Sequence, residues 1–350
     1  MAATVKDVAA RAGVSTATVS RYLNGHTLRS YNATRIKQAI AELEFEPNLF
    51  AKGLKANRSM TVAALIPSLS GLFSFEIIKG MEAVFDRHDY LLVINDYELS
   101  SRRLEASLRR LQKRSIDGLV LFPLWYGSQC VETIRALQES GVPVVAVHDR
   151  IAGLSCDLVA GNEVETSSAA VQTLTEAGHR RIAVVAGRRK ADVTKQRLSG
   201  ARRAAKQSAT GSAHLDVLWT DYSMPGARVA VRAALSAPEP PTALYAISYY
   251  TTTGASLAIR DEGLSIPEDV SLIGHDRFSA TQVIEPELSL VEFDLPRLGE
   301  VTAEILLRRI SGNYHGFPAT ITVPMQLSTG ASVARPRRVT EDRSASTIEK

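Results

Sequence analysis

From residue 61 onward, short β-branched apolar runs alternate with segments of helical periodicity. Continuous apolar strands separated by helices are typical of parallel sheets that are covered on both faces. The runs predicted as strands are TVAALIP, YLLVIND, DGLVLFP, VPVVAVH, DLVAGN, RIAVVAG, LDVLWT, TALYAIS, VSLIGHD, LSLVEFD and ITVPMQL. Because a single sheet rarely holds so many strands, we predict two doubly wound α/β subdomains with a ligand cleft between them.

Residues 4–24, TVKDVAARAGVSTATVSRYLN, predict two short helices ahead of the first strand. Gly13 suits the positive φ of a tight turn between them, and the Ser15 side chain suits the N-cap of the second helix. A third helix, from about Asn32 to Glu44, would close a small apolar core. This arrangement is a helix-turn-helix, whose second helix presents its N-terminal residues to a DNA major groove.

Charge is unevenly distributed along the chain. The whole chain carries +4, whereas residues 1–60 hold nine Lys and Arg against four acidic residues, a net charge of +5. Because residues 1–60 are basic and the middle of the chain is mildly acidic, we expect that only the N-terminal region binds a polyanion. A solvated basic face without a nucleic-acid role is the alternative that charge by itself leaves open.

Motifs for catalysis, cofactors and metals are absent from the sequence. No G-x-G-x-x-G turn follows a predicted strand, and we find no phosphate-binding G-x-x-x-x-G-K-[ST], H-E-x-x-H or G-x-S-x-G motif. We therefore expect no enzyme, no cofactor and no metal site. The N-terminus lacks the pattern of a secretory signal, and no apolar run reaches eighteen residues. These features predict a cytoplasmic protein without a membrane partner.

The chain resembles the lactose-repressor/galactose-repressor family of bacterial transcription regulators from residue 4 to about 334. The resemblance is carried by VKDVAARAGVSTATVSRYLNG, EPNLFAKGL and GLSIPEDVSLIGHD, with GVPVVAVHDR, GHRRIAVVAG and RLSGARRA in the expected order. It implies a repressor that binds a near-palindromic operator as a homodimer and responds to a small molecule. No C-terminal leucine heptad is present, which favours a dimer over a tetramer.

We accordingly divide the chain into five parts. Residues 1–46 are the DNA-binding domain, 47–59 a hinge helix and 335–350 a disordered tail. Residues 60–160 and 291–323 form the first effector-binding subdomain, and residues 161–290 and 324–334 form the second. The periplasmic-binding-protein type of body is implied by the resemblance.

The resemblance also implies which residues contact DNA. Thr16, Ala17 and Arg21 would face base edges, and Leu54 of the hinge would insert at the central step as an apolar wedge. The further predicted contacts are Thr4, Ser15, Thr18, Ser20, Asn24, Asn48, Ala51 and Lys55.

The predicted effector site departs from the family pattern. The family often has Asp-Asn and Asn-Asp pairs at two positions where this chain has Gly161-Asn162 and Ser248-Tyr249, and the acids of those pairs usually hydrogen-bond sugar hydroxyls. The residues predicted to bind effector are Phe73, Asn162, Arg197, Trp219, Ser248, Tyr249 and Asp276.

The run GRRKADVTKQR adds five bases after a strand, namely Arg188, Arg189, Lys190, Lys195 and Arg197. Relative to the family pattern, the predicted effector site has lost acidic residues and gained basic ones. This change favours an anionic effector such as a sugar phosphate or a carboxylate. An exposed basic loop outside the cleft would explain the same run. The alternative function is a regulator with a degenerate cleft, which a protein partner controls or which acts constitutively.

Overall fold

A computed structural model describes residues 3–23, 26–45, 58–69, 72–123, 127–208, 211–278, 281 and 283–337 of the 350 residues. The predicted hinge contacts Asn48, Ala51, Leu54 and Lys55 lie outside the described residues, as does Asn24. Of the predicted tail, residues 335–337 are described, and Arg337 donates to Asp269 (Nη1–Oδ1 3.1 Å). The described residues contain eleven helices and two six-stranded sheets.

The N-terminal region is a three-helix head, as predicted. It comprises α1 (Val5–Ala12), α2 (Thr16–Leu23) and α3 (Ser30–Glu42). Gly13 ends α1 with φ of 62°, and the backbone N–H of Thr18 donates to Ser15 Oγ (3.2 Å) at the start of α2. Both turn predictions are therefore confirmed. The helices enclose a core of Val8, Ala9, Ala12, Val19, Ile36, Ala39 and Phe45.

The first sheet has the strand order β11-β5-β4-β3-β1-β2, and all its strands are parallel. Its strands are β1 (Thr61–Ile66), β2 (Leu91–Asp96), β3 (Gly118–Leu121), β4 (Val144–Val147), β5 (Asp157–Gly161) and β11 (Thr320–Val323). Its helices are α4 (Leu72–Arg87), α5 (Ser101–Gln112), α6 (Ser128–Glu139) and α11 (Leu295–Ile310). Apolar layers pack on both faces, as continuous apolar strands require.

Helices α4 and α11 cross in close contact on one face of this sheet. A Cβ at Gly80 would lie 2.0 Å from the Pro296 carbonyl oxygen, and one at Gly299 would lie 2.0 Å from that of Ile77. The two glycines thus allow the backbones to approach more closely than any side chain would permit. Because α11 returns from the second subdomain, this contact anchors the returning chain to the first.

The second sheet has the order β12-β10-β9-β8-β6-β7, with β12 antiparallel to β10 and the other pairs parallel. Its strands are β6 (Arg181–Ala186), β7 (His214–Trp219), β8 (Ala243–Ala246), β9 (Ser271–His275), β10 (Ser289–Phe293) and β12 (Met325–Ser328). Its helices are α7 (Glu163–Glu176), α8 (Asp192–Gln207), α9 (Met224–Leu235) and α10 (Tyr249–Asp261). The prediction of two doubly wound sheets is confirmed.

The chain crosses between the sheets three times, at Asn162, Asp294 and Pro324. Strand β10 belongs wholly to the second sheet. The chain therefore crosses at residue 294, three residues after the subdomain boundary that the sequence predicts at residue 291. The run ITVPMQL, predicted as one strand, is two strands in different sheets, because Pro324 lacks the N–H that a continuous strand would donate. Among the described residues, no helix is long and apolar enough to cross a membrane.

Candidate DNA-reading helix and interdomain cavity

Helix α2 carries the predicted base-reading residues on its outer face. Thr16, Ala17 and Arg21 are exposed, while Thr18 and Ser20 are partly buried. On the opposite face of the helix, Val19 is completely buried against the other two helices. The packed core therefore fixes which side of α2 is free to enter a groove.

Two predicted DNA contacts also have structural roles within the head. The Thr4 hydroxyl accepts from the Asp7 backbone N–H (3.4 Å), and the Thr4 backbone N–H donates to Asp7 Oδ2 (2.8 Å), which is a capping box for α1. The hydrogen bonds from Thr4 lower the pKa of Asp7. Ser15 caps α2 and contacts the Thr18 hydroxyl at 2.9 Å. Both side chains remain at the exposed surface of the head.

Tyr31 is a surface residue of the head that the sequence reasoning missed. It lies in the first turn of α3 and is 68 % exposed, with the Arg35 guanidinium 5.2 Å from its ring centroid. An exposed aromatic residue beside a cation in a basic region was the available sequence signal.

A cavity of about 500 Å³ lies between the two sheets. Its lining comes largely from residues that directly follow β1, β2, β3, β4, β6, β7, β8 and β9, the carboxyl ends where open α/β sheets bind ligands. Five of the seven predicted effector residues line it, namely Phe73, Arg197, Ser248, Tyr249 and Asp276.

The other two predicted effector residues do not line the cavity. Asn162 Oδ1 accepts from the backbone N–H of Met325 (2.7 Å), which ties one crossing between the sheets to another. Trp219 lies under the Arg189 guanidinium, 4.3 Å from its ring centroid. Tyr222, three residues after Trp219, does line the cavity, and burial raises its pKa to about 12.

Arg197 reaches the cavity as one half of a buried ion pair. Its Nε donates to Glu163 Oε2 (2.6 Å), its Nη1 donates to the Ile247 carbonyl, and both paired side chains are almost fully buried. Burial alone would raise the pKa of Glu163, but the Arg197 charge and the contact with His148 lower it below its usual range. Because Glu163 already balances the guanidinium, little positive charge remains for a ligand.

Most of the five bases in the run at residues 188–197 do not line the cavity. Of the five bases, Arg188 and Arg197 line the cavity, whereas Lys195 pairs with Asp192 (2.7 Å) on the surface of α8. Three carboxylates line the same cavity, those of Asp149, Asp221 and Asp276. The basic run therefore supplies less positive charge to the cavity than its sequence suggests, because only Arg188 and Arg197 line it and Glu163 already pairs with Arg197.

His148 and Asp149 are cavity residues that the sequence reasoning missed. Asp149 Oδ1 accepts from the Val193 N–H (2.7 Å) in the first turn of α8, and this bond joins the two subdomains. Burial raises the pKa of Asp149, and burial likewise raises that of Asp276. The position of both residues directly after the strand VPVVAV was a signal that would have found them.

Two family models match the chain. One describes bacterial regulatory proteins of the lacI family and covers residues 4–48; the other describes a periplasmic binding protein-like domain and covers residues 171–333. The ribose operon repressor of Escherichia coli strain K12 is 30 % identical over 315 residues, which are 88 % of this chain and 93 % of the relative. The repressor CytR of the same strain is 29 % identical over 317 residues, which are 90 % and 92 %.

Solved structures show the same architecture. A complex of the transcriptional regulator CelR with cellobiose matches 94 % of this chain and 99 % of its own, with a TM-score of 0.70 and 26 % identity. The fold thus occurs, over nearly the whole length of this chain, in a protein of known structure.

Proposed function

The chain belongs to the lacI family of bacterial regulatory proteins, a family of DNA-binding repressors and not of enzymes, and from this premise we propose its specific function. It binds a near-palindromic operator as a homodimer in the cytoplasm, and a small molecule in the interdomain cavity controls that binding. The observation that carries the proposal is the exposed row Thr16, Ala17 and Arg21 on a helix held by a packed three-helix core.

The proposed homodimer is supported by an apolar edge on the first sheet. Strand β2 is the last strand of that sheet, and α4 packs against it. Four of their exposed apolar side chains form a group that we call the β2 edge surface: Phe75 (50 %), Leu91 (64 %), Val93 (38 %) and Ile94 (39 %). An exposed apolar strand edge favours association, and the occupant that we propose is a second copy of this chain.

Charge reversal on the β2 edge surface is expected to separate the dimer. The double substitution Phe75→Glu and Val93→Glu places like charges in the proposed interface, and the dimer dissociation constant should rise at least ~10-fold because like-charge juxtaposition costs several kcal/mol. Light scattering after size exclusion measures the mass. Tyr314→Glu, at a similarly exposed aromatic residue (46 %) in the loop before β11, should leave the dimer intact; equal dissociation by both would contradict the proposal.

The cavity favours a neutral, hydroxyl-rich effector over an anion. Among the described residues, three carboxylates line it against the guanidinium of Arg188 and that of Arg197, which Glu163 neutralises, so a phosphate would meet more repulsion than attraction. Aromatic residues supply apolar walls on which a sugar ring can lie: Phe73, Phe122, Tyr222, Tyr249 and Tyr250. The name of the ribose operon repressor and the cellobiose in the CelR complex support a sugar.

A thermal screen tests the effector proposal. D-Ribose, cellobiose, cytidine and ribose 5-phosphate are added to the full-length protein, and at least one neutral probe should raise the melting temperature while ribose 5-phosphate should not. A ligand at a hundred times its dissociation constant stabilises the folded state by about 2.7 kcal/mol. The same probe should change operator affinity, and operator DNA should change probe affinity by the same factor.

The screen also separates the alternative functions. A shift with ribose 5-phosphate alone would restore the anionic effector that the sequence favoured. If no probe shifts the melting temperature and operator affinity changes only when a protein partner is added, the cleft is degenerate and partner control replaces effector control.

A further inference from the structure

Residues 58–60 lead from the DNA-binding region into the first sheet, and we call them the junction. They belong to no helix or strand and directly precede β1. The Met60 carbonyl accepts from the Leu91 N–H at the start of β2 (2.9 Å), and the Ser59 carbonyl accepts from the Thr61 hydroxyl (3.2 Å). Connecting segments are usually more mobile than the elements that they join, so a connection held this closely is uncommon.

A single carboxylate holds two consecutive residues of the junction. Asp117 lies immediately before β3, and its Oδ1 accepts from the Ser59 N–H (2.8 Å) and from the Ser59 hydroxyl (3.0 Å). Its Oδ2 accepts from the Met60 N–H (2.9 Å). Met60 has a φ of 52°, in the left-handed region that residues other than glycine rarely adopt. Such a conformation persists where the surrounding structure imposes it, and such positions concentrate at functional sites.

Arg58 ties the junction to the end of α11. Its Nη2 donates to the carbonyl oxygen of Ile310, the last residue of that helix (2.6 Å), and its Nη1 donates to the Tyr90 hydroxyl (3.4 Å). A basic side chain at the C-terminus of a helix satisfies carbonyl groups that have no partner within the helix. Because α11 starts where the chain returns from the second subdomain, at Asp294, the junction is attached to an element that is itself fixed at both ends.

We propose that Asp117 and Arg58 are positioning residues that set which spacing between operator half-sites the protein accepts. The inference rests on the proposed operator binding by a homodimer and on the hinge helix predicted for residues 47–59, of which residues 47–57 lie outside the described part of the chain. In a two-fold dimer, the distance between the heads depends on the direction in which each chain leaves its body. The three bonds to Asp117 and the two from Arg58 favour one such direction.

The expected consequence is discrimination between operators. Two heads on a loose connection reach half-sites over a range of distances, whereas two heads on a stiff connection have their highest effective concentration at one distance. A change of one base pair at the operator centre both shifts and rotates one half-site relative to the other. The native protein can then occupy both half-sites only by straining or breaking the hydrogen bonds of the junction, so its affinity should fall.

The test compares the native protein with Asp117→Asn on operators that differ only in their centre. An operator selected with the native protein from random duplexes is shortened or lengthened by one or two base pairs, and affinities are measured by fluorescence anisotropy. Asparagine keeps the size of the side chain but replaces one acceptor oxygen by an NH2 group. The affinity ratio between the selected spacing and the next best should fall roughly 10-fold, the order of one hydrogen bond to a charged group.

Asp96→Asn is the matched control. Asp96 also accepts two backbone N–H groups, from Leu69 (2.8 Å) and from Glu98 (2.7 Å), but it ends β2 and so lies at the opposite edge of the same sheet. Its variant should keep the native spacing ratio. A duplex with a single half-site provides the second comparison, because spacing has no part in that binding and its affinity should change far less than the ratio.

Arg58→Met is a second variant, which decides the test alone if Asp117→Asn does not fold. Arg58 is exposed, and methionine keeps an unbranched apolar stem while donating no hydrogen bond. The spacing ratio should fall in this variant as well. Weakening of every duplex by one common factor, with a shallower dependence on salt, would instead identify Arg58 as a phosphate contact and would overturn its assignment as a positioning residue.

Failure of the inference and failure of the proposed function give different results. If the native protein selects no operator with two half-sites, operator binding by a dimer fails and the inference fails with it. If the native protein binds such an operator but accepts all spacings equally, or if both variants keep the native ratio, only the inference is overturned. A common loss of affinity on all spacings would show that Asp117 merely supports the fold, and would also overturn it.

Discussion

Replacing Glu163 by glutamine is expected to lower the free energy of unfolding by about 3 kcal/mol. The substitution leaves the buried Arg197 guanidinium without a compensating charge, and breaking one side of a buried ion pair typically costs this much or more. The loss follows from burial, since both side chains are almost completely inaccessible. Urea denaturation of the full-length protein, monitored by circular dichroism, measures the change.

Two further variants make the measurement specific. Glu262→Gln removes the partner of Arg232 in an ion pair on the surface of the same subdomain, with side-chain exposures of 54 % for Arg232 and 24 % for Glu262, and it should cost less than about 1 kcal/mol. Adding Arg197→Met to Glu163→Gln removes the stranded charge and should recover part of the loss. Equal effects of Glu163→Gln and Glu262→Gln would show that the buried pair does not stabilise the fold.

Replacing Arg21 by alanine is expected to relax base preference at one position of each operator half-site, by about 1–3 kcal/mol. Arg21 is exposed on α2, and a guanidinium at the groove-facing side of such a helix reaches base edges. The operator is first selected from a random duplex library with the native protein. Affinities for all single-base variants of that operator are then compared between native protein and variant.

Arg11→Ala supplies the matched control. Arg11 is also an exposed base of the head, but it lies in the last turn of α1 and forms an ion pair with Glu42. Its loss should leave the pattern of base preference unchanged. Uniform weakening of all duplexes by Arg21→Ala would identify Arg21 as a phosphate contact, because only base contacts carry sequence information.

The head shows why local patterns were sufficient there. Gly13 and Ser15 act through their own backbone and the next few residues, so their turn and cap could be predicted from spacing. The same holds for the alternation of apolar strands with helices, which implied two covered parallel sheets. Each of these features depends on contacts within a few residues of the chain.

The cavity shows where such patterns were insufficient. The basic run at residues 188–197 follows a strand, as the sequence analysis noted. Its effect on the charge of the cavity was overestimated, because Glu163, the ion-pair partner of Arg197, is 34 residues away in sequence. Trp219 was predicted to bind effector, yet it does not line the cavity and lies against Arg189. His148 was not predicted to line the cavity, although its position directly after the strand VPVVAV indicates that edge of the sheet.

The sequence by itself therefore determined the helix-turn-helix head and the two doubly wound sheets. Of the seven residues that it predicted as effector contacts, five line the cavity. Only the tertiary structure decided the electrostatics of that cavity, the absence of Asn162 and Trp219 from its lining, and the position of His148 against Glu163. The physical reason is the sequence separation between the residues that determine each feature. Helical periodicity, caps and strand ends are set by neighbouring residues, whereas the effective charge of a side chain depends on which distant groups the fold buries beside it.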